Sequence, residues 1–99
     1  FAESYLVRQS GSLESTVLKV AHHGSRTSTT APFLKRVKPA LAVISSGDGN
    51  RFGHPHPEVV KRLEQTLVPE GLFRTDRNGS IEFISDRRSL WVKTERNPP

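Results

Sequence analysis

The chain has 99 residues, a formal charge of +5 and no cysteine, so disulfides and thiolate metal sites are excluded and any metal must be held by histidine, aspartate or glutamate. That length suits one domain, burying roughly 60–70% of its unfolded surface, and no apolar run approaches the roughly 20 residues of a membrane span or reads as a signal peptide. The basic balance, in which arginine outnumbers lysine, favours anionic partners such as nucleic acid or phosphate-bearing lipid, and equally fits ordinary surface charge.

"FAESYLVRQSG" carries Ala2, Tyr5 and Leu6 at helical spacing, with Gly11 as a stop. The chain enters this helix directly at Phe1, which reads as a segment cut from a longer protein. "STVLKVA" is β-branched and apolar and predicts a strand of about five residues. "GSRTSTT" is a loop. "TAPFLKRVKP" is a short helix with Pro32 in its first turn and Pro39 beyond its end. "ALAVISSG" is a buried strand and "DGNRFGHPHP" a long polar loop. "PEVVKRLEQTL" is the best helix: Pro57 opens it, and Val59, Val60, Leu63 and Leu67 form one apolar face. "GLFRT", "SIEFIS" and "SLWVKT" are three closing strands, with "DRNGS" a tight Asn-Gly hairpin turn and "SDRRS" a second turn. The order predicts an α/β fold with parallel or mixed strands, closed by an antiparallel meander at one edge. Residues 1–95 form the domain and residues 96–99 a frayed tail.

All four histidines stand in two clusters, His22-His23 in "KVAHHGSRTS" and His54 and His56 in "RFGHPHPEV". Each cluster leaves the carboxyl end of a predicted strand, where sites gather in α/β sheets. Neutral imidazole is a common zinc ligand. Adjacent residues at a strand end point to opposite sides, so one of His22 and His23 suits a metal and the other the substrate. Gly24 lets the backbone turn away. Ser25, Thr27, Ser28, Thr29 and Thr30 offer hydroxyls and backbone donors for phosphate oxygens. The competing reading is a capped turn whose histidines pair with carbonyls. In "GHPHP" the prolines hold His54 and His56 extended, and His56 falls at a helix N-terminus, beside which a neutral ring meets a phosphate; the plainer alternative is that His56 only caps the helix. Catalytic zinc takes three protein ligands, and no carboxylate stands at ligand spacing here, although Asp48 and Asp76 lie at loop ends. No nucleophile elbow, P-loop or dinucleotide fingerprint is present.

From Phe1 to about Val92, the stretches "LKVAHHGSRTS", "FLKRVKPALAVISSGDGNRFGHPHPEVVKRLE" and "FRTDRNGSIEF" resemble the C-terminal half of the metallo-β-lactamase-fold domain of ComEC-type DNA-uptake proteins. The resemblance implies half of an αββα sandwich, with a mixed sheet and helices on one side. It also implies a two-metal site, of zinc or manganese, whose His-x-His-x-Asp-His motif and bridging aspartate lie upstream of Phe1. By that resemblance His23 is the remaining metal ligand and His22 its substrate-facing neighbour, with the order open to reversal. His22 and His56 are then the catalytic residues, and Ser25, Arg26, Arg51 and His54 bind phosphate. The implied function is part of a metal-dependent phosphodiesterase or nuclease acting on DNA, single strands above all, during uptake. The parent sits in the bacterial inner membrane with this domain soluble outside it, and the lone segment is inactive and inclined to self-associate for want of the N-terminal half. Two alternatives stand beside it. One is a metal-free DNA-binding or docking module, with Arg26, Arg51, Arg74 and Arg77 on phosphates and Phe52 stacked on a base. The other is a hydrolase of small phosphodiesters such as lipid headgroups.

Overall fold

The computed structural model describes residues 2–8, 11–25, 27–47 and 55–96. Its elements are α1 (Ala2–Arg8), β1 (Val17–Lys19), a 3-10 turn (Ala21–Gly24), α2 (Ala31–Val37), β2 (Leu41–Ile44), α3 (Pro57–Thr66), β3 (Leu72–Arg74), α4 (Thr75–Asn78), β4 (Ile81–Ser85) and β5 (Leu90–Thr94). The helix signals act as their chemistry requires. Pro32 occupies the first turn of α2, and Lys38 closes that helix in the left-handed region (φ 50°), its N–H bonded to the Leu34 carbonyl at 2.9 Å. Pro39 follows and cannot continue the helix. In α3, Val59, Leu63 and Leu67 recur every four residues and are buried, the stripe that an amphipathic helix turns to a core.

β1, β2 and β3 form a three-stranded parallel sheet with β2 in the middle, in a register that aligns Leu18, Ala42 and Leu72. Those three residues share one face. Ala42 and Ile44 are fully buried there with Val20, Leu34, Val59, Leu63 and Leu67, so α2 and α3 cover the same side of the sheet. Leu41 and Val43 alternate onto the other face and are half-buried. Phe73 also faces that side and meets Phe83 of β4 edge to face, with ring centroids 6.0 Å apart and an interplanar angle of 88°.

The closing meander is corrected by the structure. β3 is parallel to β2 and does not pair with β4, and the antiparallel part is β4 with β5 alone. The cause lies in "DRNGS". Asn78 Oδ1 accepts the Arg74 N–H at 2.9 Å, and the Gly79 N–H bonds to the Thr75 carbonyl at 3.1 Å. Asn78 and Gly79 thus end a single helical turn, with Gly79 at φ 70°, and they do not form a two-residue hairpin. A Cβ at Gly79 would also meet Glu95 side-chain atoms at 2.6–3.0 Å.

α1 is held by polar straps as well as packing. The Glu3 carboxylate accepts the N–H groups of Thr29 (2.6 Å) and Thr30 (3.0 Å) and the Thr30 hydroxyl (3.3 Å). From the other end, the Arg36 guanidinium donates to the carbonyls of Val7 and of Gly11 (2.8 Å). Leu6, part of the apolar spacing that marks this helix, is more than one third exposed. In the expected tail, the Arg96 N–H is tied to the Asn78 carbonyl at 2.8 Å, and residues 97–99 lie outside the described residues.

Candidate functional site

Three strand ends converge where the histidine clusters begin. β1 passes into the Ala21–Gly24 turn, and His23 and Gly24 both take positive φ, 53° and 78°. The left-handed region costs a side-chain-bearing residue roughly 1–2 kcal/mol, although histidine visits it more readily than most. The turn carries the His23 ring across to the end of β2, where Nδ1 lies 2.6 Å from the Ser45 carbonyl oxygen. A carbonyl only accepts, so Nδ1 is the protonated nitrogen and the lone pair of the neutral ring is on Nε2. His23 is exposed. A ring whose N–H is donated to a backbone carbonyl, with the opposite nitrogen open, is the arrangement found in metal-binding histidines.

The second cluster is seated on the first. The Gly24 carbonyl accepts the His56 N–H at 2.8 Å. Gly24 is buried, and a Cβ there would lie 2.7 Å from the Pro55 Cβ, so the approach of the two loops requires glycine. His56 caps α3, its Nδ1 accepting the Glu58 N–H at 3.2 Å. A backbone N–H only donates, so the proton of the neutral His56 ring is on Nε2. The two rings therefore have opposite polarity: His23 offers a lone pair at Nε2 and His56 offers a proton there. Carbonyl pairing for His23 and helix capping for His56 are both present, and each uses one ring nitrogen.

A third strand end braces this pair. The Thr75 hydroxyl accepts the Ser46 N–H at 2.8 Å and donates to the Ser46 carbonyl at 2.9 Å, so the segment that holds His23 is fixed from the residue that follows β3. Sequence reading missed Ser45 and Thr75, because contacts between residues 22 and 29 positions apart leave no local pattern. Asp76, a possible ligand by position, is taken by Arg74 in a two-pronged ion pair, Nε to Oδ1 at 3.0 Å and a terminal nitrogen to Oδ2 at 2.7 Å. The same pair occupies Arg74, assigned to phosphate in the metal-free alternative. Much of the serine–threonine loop is spent internally. Ser25 Oγ is 3.3 Å from Thr27 Oγ1, Ser28 Oγ is 2.6 Å from Thr29 Oγ1, and Glu3 takes the Thr29 and Thr30 N–H groups.

His22 shares the turn with His23. Arg26, Asp48, Arg51, Phe52 and His54 lie outside the described residues. Among the described residues no group of three or more histidine, aspartate or glutamate side chains gathers in a way that would hold a metal. His23 thus fits a divalent metal as a single contributed ligand, not as part of a complete set within the described residues.

Three known proteins contain a stretch similar to this chain. ComE operon protein 3 of Bacillus subtilis (strain 168) is 41% identical over 71 residues, which is 72% of this chain and 9% of that protein. Competence protein ComA of Neisseria gonorrhoeae is 41% identical over 94 residues, 95% of this chain and 13% of that protein. Recombination protein 2 of Haemophilus influenzae (strain ATCC 51907 / DSM 11121 / KW20 / Rd) is 43% identical over 88 residues, 89% of this chain and 11% of that protein. The chain spans about a tenth of the length of these relatives. No family model matches it, and no solved structure does.

Proposed function

We propose that this chain is a stretch of a ComEC-type competence protein and that it supplies one metal ligand and one phosphate-facing donor to a phosphodiesterase site acting on DNA during uptake. Similarity to ComE operon protein 3, competence protein ComA and recombination protein 2 supports the setting. The chemistry is carried by one observation, the opposite polarity of His23 and His56 on loops joined through Gly24. His23, its Nδ1–H held by Ser45, keeps Nε2 as a ligand for zinc or manganese. His56, its Nδ1 held by Glu58, directs an Nε2–H donor at a phosphate oxygen as negative charge builds there. His22, beside the ligand, takes the substrate side of the same turn, and Ser25, Arg26, Arg51 and His54 complete the phosphate contacts. When bound, a divalent metal supplies Lewis-acid charge to the phosphodiester. In this reading the wider fold is an αββα metallo-β-lactamase-like sandwich. The half-buried face of Leu41 and Val43 is then the side turned toward the other half. The parent protein lies in the inner membrane and this domain outside it; among the described residues no helix is long and apolar enough to cross a membrane.

The test uses the longer protein. His23→Ala is expected to lose metal and DNA hydrolysis together, whereas His22→Ala and His56→Ala keep the metal and lose turnover by about 100-fold or more, the usual effect of removing one donor to a developing charge. Metal analysis and nuclease rates on the same preparations read both quantities. Unchanged metal content and rate in His23→Ala would overturn the metal-site reading and favour a metal-free binding module. The 99-residue chain alone, with no full ligand set among the described residues, is expected to hydrolyse neither single-stranded DNA nor a chromogenic phosphodiester with added manganese or zinc.

A further inference from the structure

The β4–β5 hairpin carries a surface for which the histidine site has no use. Ile84 and Trp91 are cross-strand partners on one face, and they remain 41% and 50% exposed. Within this chain, a tryptophan half exposed beside an isoleucine is an apolar patch, and such patches mark contact surfaces. The next pair along the same face is Glu82 opposite Lys93, whose charges offset each other. Beyond Trp91 the strands end in the turn holding Arg87 and Arg88, both exposed.

The turn is closed by its own acid, which bonds to backbone and not to a guanidinium. Asp86 Oδ1 accepts the backbone N–H groups of Ser89 (2.7 Å) and Arg88 (2.9 Å), and the Asp86 N–H bonds to the Ser89 carbonyl at 3.2 Å. These bonds, that from Ser89 foremost, hold the Asp86 carboxyl below its ordinary range. The carboxylate is thus spent on the backbone of the turn, and Arg87 is carried there at φ 78°. Among the described residues neither Arg87 nor Arg88 has a side-chain ion pair. Arg88 lies in the turn, three residues before Trp91 in the sequence.

An aromatic platform followed by unpaired arginines is the combination that binds single-stranded nucleic acid: bases stack on the ring and phosphates meet the cations, with little dependence on sequence. We infer that the β4–β5 hairpin is a landing surface for single-stranded DNA, with a base on Trp91 against Ile84 and the neighbouring phosphates on Arg87 and Arg88. The inference rests on the DNA-uptake reading for its ligand but uses none of the histidine residues.

Trp91 is the only tryptophan of the chain, so its fluorescence reports the contact directly. Titration of the 99-residue chain with oligodeoxythymidine is expected to quench this emission saturably, and the quenching weakens as salt rises. Trp91→Ala is expected to lower affinity, read from the anisotropy of a labelled oligonucleotide, by roughly 5- to 150-fold, the range for one base–aromatic stack. Trp91→Phe restores most of that loss. Arg87→Ala and Arg88→Ala each flatten the salt dependence by about one unit of slope. Equal oligonucleotide binding by the parent chain and Trp91→Ala, or binding without quenching, would overturn the hairpin site while leaving the nucleic-acid reading in place. Equal quenching by inorganic polyphosphate would overturn the stacking, and quenching that follows protein concentration without DNA would assign the patch to self-association. Intact quenching in the 99-residue chain carrying His23→Ala or His56→Ala would leave the hairpin site standing whatever those substitutions do to hydrolysis in the longer protein.

Discussion

The carboxyl end of the parallel sheet and the β4–β5 hairpin are held by opposite kinds of contact. At the sheet end, His23 is bonded to Ser45 and Ser46 to Thr75 across 22 and 29 residues, and the Gly24 carbonyl takes the His56 N–H of the following loop. In the hairpin the turn bonds span only two or three residues, cross-strand pairing joins the two strands, and Phe83 packs on Phe73 of the sheet. Long-range bonds fix the orientation of a ring and the nitrogen that carries its proton, as a site for chemistry requires. Local bonds fix a ribbon and leave its outer face open, which serves contact. Positioning and exposure are thus assigned to different parts of one small chain.

The largest effect should come from what the two regions share. Leu63 is fully buried between α3 and the sheet, so Leu63→Ala is expected to cost about 3 kcal/mol. In a denaturant titration, Trp91 emission and far-UV circular dichroism should shift together; separate transitions would show the hairpin to be independent of the sheet. Gly24→Ala strikes only the histidine region. A Cβ in the left-handed region and against Pro55 is expected to cost about 2 kcal/mol or more. Amide exchange at His56 should quicken while that of β4 and β5 is unchanged, and slow His56 exchange in the variant would contradict the seating of one loop on the other. Thr75→Val removes both bonds to Ser46 at about 1–2 kcal/mol, with the loss of protection confined to residues 45–47.

The smallest effect belongs to the hairpin turn. Asp86 has a lowered pKa because Ser89, then Arg88, donates to it. The bonds are therefore complete above the ordinary aspartate value of about 3.9 and are lost as pH falls through the lower folded value, so any stability they lend fades on acidification below that point. The Ser89 amide resonance should follow this titration with a midpoint below that of free aspartate, and the step should vanish in Asp86→Ala. An ordinary midpoint would show that the carboxylate does not hold the turn.

What was legible in the sequence follows the same division. Local signals worked: Pro32, Pro39 and Pro57 bound their helices, the four-residue stripe of α3 faces the core, and "SDRRS" is a turn. The Asn-Gly pair misled, because its hairpin meaning depends on the flanking strands pairing, and Arg74 and Gly79 close a helical turn with it. At the candidate site, the place of His22 and His23 just after β1 and of His56 at the start of α3 was legible from the alternation of elements. The tautomers were not, since they depend on Ser45, brought near by strand order, and on His56 accepting from its own helix. Nor was Thr75, an ordinary residue whose role comes only from its distance to Ser46.

The central claim is that His23 and His56 present opposite groups at Nε2. It is tested most directly by long-range proton–nitrogen NMR correlation on the 99-residue chain with labelled histidine, at about pH 8.5, where free imidazole is neutral. The expected result is a proton on Nδ1 of His23 and on Nε2 of His56, and added zinc should perturb the Nε2 resonance of His23 before that of His56. A proton on Nε2 of His23, or the same tautomer in both rings, would contradict the division of labour between ligand and donor.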